Sequence, residues 1–322
     1  MSDTPRILLH NSETARFAQA LTSRFQDIEF CECKSYEALL KAVADFRPDI
    51  VYSVRFAGTP AFPREALFAP NGPVWVANGG AGTDHFGHWD TARVTVTNAA
   101  GVAADMMAEY VIGGFLHFTL DVPGLLADKA AHRWQTRTVR PLSGGTLLVI
   151  GLGHTGQAIA TRAKAFGMHV IGTRARPVAM DGVAEVHAAD ALPGLLPRAD
   201  FIAVATPLTP QTHGLLGPAE FRAIKPGAVI ADVSRGGVVD QSALIAALTD
   251  GTVAGAALDV FETEPLPQDN PLWQMDTVLI SPHCSSVYEG WEQASFELFL
   301  ANLQRWMTGE TLTNVVDPSR GY

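Results

Sequence analysis

Three residues of different chemistry stand far apart in the chain, each just beyond an apolar run: Arg235 in VIADVSRG, Glu264 in LDVFETEP and His283 in LISPHCSS. A guanidinium stays charged at any relevant pH and offers a planar fork to a carboxylate or a polarised carbonyl. An imidazole, with an ordinary pKa of about 6.5, gives or takes a proton near neutrality. A carboxylate beside it orients the ring and favours its protonated form. Each residue alone has a structural alternative: a surface or helix-terminus charge for Arg235, a solvated loop acid for Glu264, a satisfied buried imidazole for His283. Their shared placement after strands favours chemistry, because ligands of parallel α/β folds gather at the carboxyl ends of strands.

A glycine pattern suggests the partner of these groups. In TLLVIGLGHTGQAIATRAKAFG an apolar strand runs into Gly151, Gly153 and Gly156, then into a helix closed by Gly167. The first glycine permits the tight turn, the second lets backbone N–H groups approach a pyrophosphate, and the third lets helix and strand pack closely. The positive helix end then faces the phosphates, so Gly151, Leu152, Gly153, His154, Thr155 and Gly156 are the expected dinucleotide contacts. A turn that binds nothing and a methyltransferase-type nucleotide site are the alternatives. The acid that usually selects NAD, about 20 residues downstream, is absent. Thr173 and Arg174 stand there, with Arg176 nearby, and a guanidinium pairs with a 2′-phosphate that a carboxylate would repel. The expected cofactor is therefore NADP, with NAD also accommodated; the alternative is an Arg174 that stacks on adenine or lies in solvent. Hydride from a nicotinamide, a cation on a carboxylate and a proton donor at a carbonyl oxygen together describe reduction of a 2-oxo acid.

At this point the chain resembles the D-isomer-specific 2-hydroxyacid dehydrogenases, through VANGGAGTDH (76–85), NAAGVAADMMAEYVIG (98–113), GLGHTG (151–156), ATPLTPQTHGLL (205–216), DVSRGGVVD (232–240), ALDVFETEP (257–265) and SPH (281–283). The family's catalytic Arg, Glu and His fall on Arg235, Glu264 and His283. The resemblance implies that backbone N–H groups around Gly80, Ala81 and Gly82 hold the substrate carboxylate, and that Arg55 lines the substrate mouth as in some members, the alternative being a surface arginine. It also implies cofactor contacts at Thr206 and Pro207 near the adenosine half, Thr212, Val233, Ser234 beside Arg235, and Asp259 near the nicotinamide carboxamide. The missing acid after the second strand is similar to glyoxylate/hydroxypyruvate reductases that prefer NADPH. His154 departs from the Arg or polar residue of many relatives. Cys284 beside His283 raises a Cys/His nucleophile pair, but strand alternation places it in the core. The family implies a homodimer formed through residues 101–140. A rival within the same fold is a nicotinamide-sensing, corepressor-like binding module.

The elements that must position these residues alternate between short apolar strands and amphipathic helices, which predicts an α/β fold of two doubly wound parallel-sheet domains. Expected strands are Arg6–His10, Asp49–Val54, Val74–Asn78 and Val94–Thr97, then Thr146–Ile150, His169–Thr173, Phe201–Ala205, Val229–Val233, Ala254–Val260 and Val278–Ser281. A long apolar helix is expected over Gly101–Leu120, and an amphipathic one over Gly290–Met307 that returns to the first domain. A flavodoxin-like substrate domain (1–97 plus 285–322) thus holds an inserted Rossmann cofactor domain (98–284). The 322 residues, 47% hydrophobic, support such a core. A formal net charge of −10 disfavours nucleic-acid and anionic-membrane partners and leaves a small anionic 2-oxo or 2-hydroxy acid. The N-terminus lacks a signal-peptide apolar core and no window reaches 18 apolar residues, so the cytoplasm is expected. Cys31, Cys33 and Cys284 form no disulfide framework, and no metal site is expected. Tyr52, Phe56, Met106, Trp134 and Trp291 are candidates to shape the substrate pocket.

Overall fold

A computed structural model describes residues 4–55 and 62–318. The chain forms two compact units, Met1–Val102 with Glu289–Tyr322, and Ala103–Tyr288.

The first unit is a parallel sheet of β1 (Arg6–His10), β2 (Glu29–Cys33), β3 (Ile50–Ser53), β4 (Trp75–Asn78) and β5 (Thr95–Thr97), in the order β2-β1-β3-β4-β5. That is the flavodoxin-like order. Strand alternation sends Ile7, Leu9, Tyr52 and Trp75 to one face and Leu8, Val51 and Val76 to the other, so each face needs a helical layer. On the first face Phe17 and Leu21 of helix Ala15–Arg24 meet Phe296, Phe299, Leu300 and Leu303 of helix Trp291–Thr308. The C-terminal helix therefore does return to the first unit. On the second face Leu39 and Val43 come from helix Tyr36–Phe46, whose N-cap Ser35 accepts the Ala38 N–H.

The second unit contains β6 (Thr146–Ile150), β7 (His169–Thr173), β8 (Glu185–His187), β9 (Phe201–Val204), β10 (Ala228–Asp232), β11 (Val253–Leu258) and β12 (Val278–Ile280). Their order, β12-β11-β10-β9-β6-β7-β8, is the doubly wound dinucleotide-binding arrangement, and every pairing is parallel. Leu148 and Ile150 of β6 enter one apolar layer, Leu147 and Val149 the other. Helix Ala104–Thr119 covers the second layer with Ala108, Val111, Ile112 and Phe115, a helical-period stripe, and presses Gly114 against Ala257.

Two strands lie outside the sequence reading. Glu29–Cys33 is an edge strand carrying two glutamates, and Glu185–His187 is only three residues long, so neither shows a readable period. The unit boundaries also fall later than 97/98 and 284/285. Asn98 stays with the first unit because its N–H donates to Asn314 O (3.1 Å), while Asn314 Nδ2 donates to Ala100 O (2.8 Å). Ser285 stays with the second because its hydroxyl binds Asp259 (2.5 Å). Among the described residues no single helix is long and apolar enough to cross a membrane.

Candidate active site

The three strands β10, β11 and β12 are neighbours in the sheet, and Arg235, Glu264 and His283 follow their respective carboxyl ends. The structure joins two of the three directly: His283 Nδ1 lies 2.8 Å from Glu264 Oε2. The other oxygen, Oε1, accepts the Phe261 N–H at 3.0 Å, which fixes the carboxylate plane. Burial pushes the Glu264 carboxyl up, but the His283 and Phe261 hydrogen bonds and the nearby Arg235 charge outweigh it and hold it below the usual range. An ionised carboxylate only accepts, so His283 Nδ1 is the donor and Nε2 is left for other chemistry. Both side chains are reachable, with relative exposures of 36% for Glu264 and 40% for His283. Half-buried Arg235 donates from Nη1 to Ser234 O at 2.7 Å.

Two buried carboxyl groups set these loops. Asp259, 2% exposed, accepts at Oδ1 from Ser281 Oγ (2.5 Å), Cys284 N (2.8 Å) and Ser285 N (3.0 Å), and at Oδ2 from Ser285 Oγ (2.5 Å). The loop after β12 is thereby wrapped around one side chain, with His283 in the left-handed conformation (φ 50°) and its N–H on Asp259 O (2.9 Å). Asp232 plays the matching part after β10, where its Oδ1 accepts from Ser234 N (2.9 Å) and Ser234 Oγ (2.5 Å). Complete burial pushes the Asp232 carboxyl up to about 7; the Ser234 donors and Arg235 oppose the rise and the Asp259 charge adds to it. The sequence reading missed Asp232, Ser281 and Ser285. An Asp two residues before a Ser at a strand end, an Asx-turn pattern, is the signal that points to the first.

Cys284 is corrected. It is exposed, not core, because β12 stops at Ile280 and the left-handed His283 breaks the alternation on which the core assignment rested. The slight desolvation its sulfur does suffer, with the Asp259 charge, pushes the thiol up, against a role as nucleophile.

The phosphate-binding turn is built by contact. Gly151 has φ 100°, and a Cβ on Gly156 would stand 2.0 Å from Gly151 O, so both positions demand glycine. A Cβ on Gly153 would meet nothing within 4 Å. The protein itself leaves that space open, as a group lying against the backbone would require. The N–H groups of Gly151 and Leu152 are both taken by Thr173 O (3.2 and 2.8 Å), and the Leu152 side chain is buried against Gly172. This leaves the first-turn amides of helix His154–Ala165, which have no intrahelical acceptor, to meet an anion. His154 is exposed beside them, while the Thr155 hydroxyl faces Met107 Sδ at 3.7 Å. These residues fit a dinucleotide.

Beyond β7, Thr173 is buried, Arg174 is half-buried with Nη1 3.3 Å from Met180 Sδ, and Arg176 is exposed. After β9, Thr206 and Pro207 are half-buried, and Thr212 Oγ1 closes their loop by donating to Pro207 O at 2.6 Å. Val233 and Ser234 are buried. In the first unit Gly80 and Gly82 are half-buried and Ala81 exposed in the turn after β4, and Arg55 is exposed after β3.

The aromatic candidates separate. Tyr52 belongs to the core, since its alternation partner Ile50 and the rings of Phe17, Phe296 and Phe299 enclose it. Trp291 is half-buried against the same layer, Met106 is half-buried and Trp134 is exposed. Phe56 lies outside the described residues.

Residues 113–285 match the family described as D-isomer specific 2-hydroxyacid dehydrogenase, NAD binding domain. A D-3-phosphoglycerate dehydrogenase of Methanocaldococcus jannaschii is 37% identical over 229 residues, which are 70% of this chain and 43% of that protein. The chain thus spans under half the length of that relative. A glyoxylate reductase of Thermococcus litoralis is 34% identical over 235 residues, 70% of each chain. The crystal structure of a D-isomer specific 2-hydroxyacid dehydrogenase from Xanthobacter autotrophicus Py2, in complex with NADPH and MES, superposes with a TM-score of 0.83 at 31% identity, covering 99% of both chains.

The raised Asp232 carboxyl has a measurable consequence. Between an unfolded pKa of about 3.9 and the folded value of about 7, the folded chain keeps a proton that the unfolded chain has lost, so this group lowers stability as pH rises. Asp232→Asn removes that titration and should flatten the fall in urea midpoint across this window. A variant with the same slope as the parent chain would show that Asp232 ionises normally.

Proposed function

Because the chain belongs to the D-isomer specific 2-hydroxyacid dehydrogenase family, we propose that it reduces a small 2-oxo acid to the D-2-hydroxy acid with NADPH, by glyoxylate- or hydroxypyruvate-type chemistry. The observation that carries this is the 2.8 Å pair between His283 and Glu264 beside Arg235, at the ends of adjacent strands. Glyoxylate reductase relatives and a structural neighbour crystallised with NADPH support the substrate and cofactor class.

In this mechanism the first-turn amides of helix His154–Ala165 would hold the pyrophosphate of a nicotinamide dinucleotide, whose chemistry would be to supply the hydride. The amides of Gly80, Ala81 and Gly82 take the substrate carboxylate. Arg235 polarises the carbonyl, and His283 Nε2 delivers the proton to the carbonyl oxygen as charge develops there. Glu264 keeps the ring oriented through Nδ1 and balances the positive charge that the proton brings. Arg174 pairs with the 2′-phosphate that distinguishes NADPH from NADH. The apolar side chains of Leu120, Leu125, Leu126, Trp134 and Val139, all exposed within one segment, support a homodimer formed through residues 101–140.

A panel of 2-oxo acids assayed with both nucleotides tests this assignment. His283→Ala should lower kcat by about 10²- to 10⁴-fold with cofactor affinity unchanged, and undiminished turnover would sink the proton-donor role. Arg235→Ala should lower kcat and raise the substrate KM together. Arg174→Ala should raise the KM for NADPH by about tenfold or more while sparing NADH; a parent enzyme that uses the two equally well would refute this role. Cofactor binding without reduction of any 2-oxo acid would favour a sensing module. Sedimentation should give a dimer, and Leu126→Glu a monomer; a monomeric parent chain would exclude the interface.

A further inference from the structure

In the turn after β4, four consecutive carbonyls are each captured by a buried side chain. Ser295 Oγ donates to Gly79 O at 2.7 Å, Asn78 Nδ2 to Gly80 O and Gly82 O at 2.8 Å each, and Asn98 Nδ2 to Ala81 O at 2.7 Å. The Ala99 N–H adds a second bond to Gly80 O at 3.0 Å. Asn78, Asn98 and Ser295 are 4%, 6% and 2% exposed, so these are interior contacts that solvent does not compete for.

A trans peptide points the N–H of one residue opposite to the C=O of the residue before it. Tying the carbonyls of Gly79, Gly80 and Ala81 inward therefore turns the N–H groups of Gly80, Ala81 and Gly82 outward. The preceding amide, Gly79 N–H, is spent on Ser53 O at 2.8 Å. Three successive amides released from the interior can converge on one anion as a nest, and the tethers remove the freedom to rotate them away.

Ser295 is itself held. Its one proton goes to Gly79 O, so the Tyr52 hydroxyl, 3.1 Å away, must donate to it. A Cβ on Gly79 would come within 2.6 Å of Val54 Cγ2 and 2.7 Å of Tyr52 Oη, so the turn sits directly on this pair. The tether crosses more than two hundred residues of sequence, from the C-terminal helix to the β4 turn.

We propose that Ser295, with Asn78 and Asn98, is a positioning residue for the substrate carboxylate: it touches no substrate and acts by locking the carbonyls of the 79–82 turn so that its amides stay aimed at the anion. This rests on the functional reading above, in which those amides receive the carboxylate.

The test compares Ser295→Ala, Asn98→Ala and Ser295→Thr with the parent chain, using the best 2-oxo acid of the panel and oxalate as an unreactive carboxylate probe. Ser295→Ala and Asn98→Ala should each raise KM and the oxalate Ki by about tenfold, with kcat within about threefold and the KM for NADPH unchanged. Ser295→Thr, which keeps the hydroxyl, should recover most of the loss. Unchanged KM and Ki in both alanine variants, or a fall in kcat with weakened NADPH binding, would overturn the proposal while parent turnover leaves the functional reading standing. A parent chain that neither turns over nor binds oxalate would overturn that reading, and this proposal with it.

Discussion

A buried carboxylate governs the reactive end of the second unit. Placing Asp259 at 2% exposure would be costly without donors, and the chain supplies them from Ser281, Cys284 and Ser285, all on the segment that follows β12. Satisfying that one side chain dictates the path of the segment, including the left-handed backbone at His283 that turns its ring toward Glu264. The same charge bears on Asp232, the neighbouring carboxyl at the end of β10, where two ionised groups in one desolvated site would repel each other. Asp232, its carboxyl pushed up by burial and by that neighbour, still anchors Ser234, and so the backbone carrying Arg235.

Both candidate anion-binding elements of the chain follow from one property of the peptide group, that its donor and acceptor point in opposite directions. In the glycine turn of the second unit, Thr173 O consumes the N–H groups of Gly151 and Leu152, and the open amides are those of the helix start. In the turn after β4 it is the carbonyls that are consumed, by Ser295, Asn78 and Asn98. In both cases side chains or neighbouring strands saturate one side of the backbone and leave the other to a ligand.

What could be read in advance follows the same logic. Central strands such as Thr146–Ile150 and His169–Thr173 are covered on both faces and are bounded by turn residues, so they stand out as short apolar runs. The edge strand Glu29–Cys33 is half-covered and charged, and leaves no such mark. Arg235, Glu264 and His283 stand out as candidates in the sequence because each offers acid–base or charge chemistry just after an apolar run, and the structure places each after the end of a strand. Their supports were not: Asp232, Ser285 and Ser295 are ordinary residues whose importance depends on which distant backbone atom they reach. Cys284 and Tyr52 show the opposite error. For the first, alternation does not continue past the end of β12; for the second, an aromatic near a strand end is a candidate for a pocket wall, but its neighbours along β3 face the two helical layers.

The first unit draws its core from both ends of the chain. Phe296, Phe299, Leu300 and Leu303 complete the layer over Ile7, Leu9 and Trp75, and Val316 returns to hydrogen-bond Val96. During synthesis the ribosome makes β1 to β5 first but cannot provide that layer until the second unit has been translated. The second unit is continuous and has every part of its own core in hand before then. The order of translation therefore lets the inserted unit close first, while the sheet encoded earliest waits with one face covered only by helix Ala15–Arg24 until helix Trp291–Thr308 emerges.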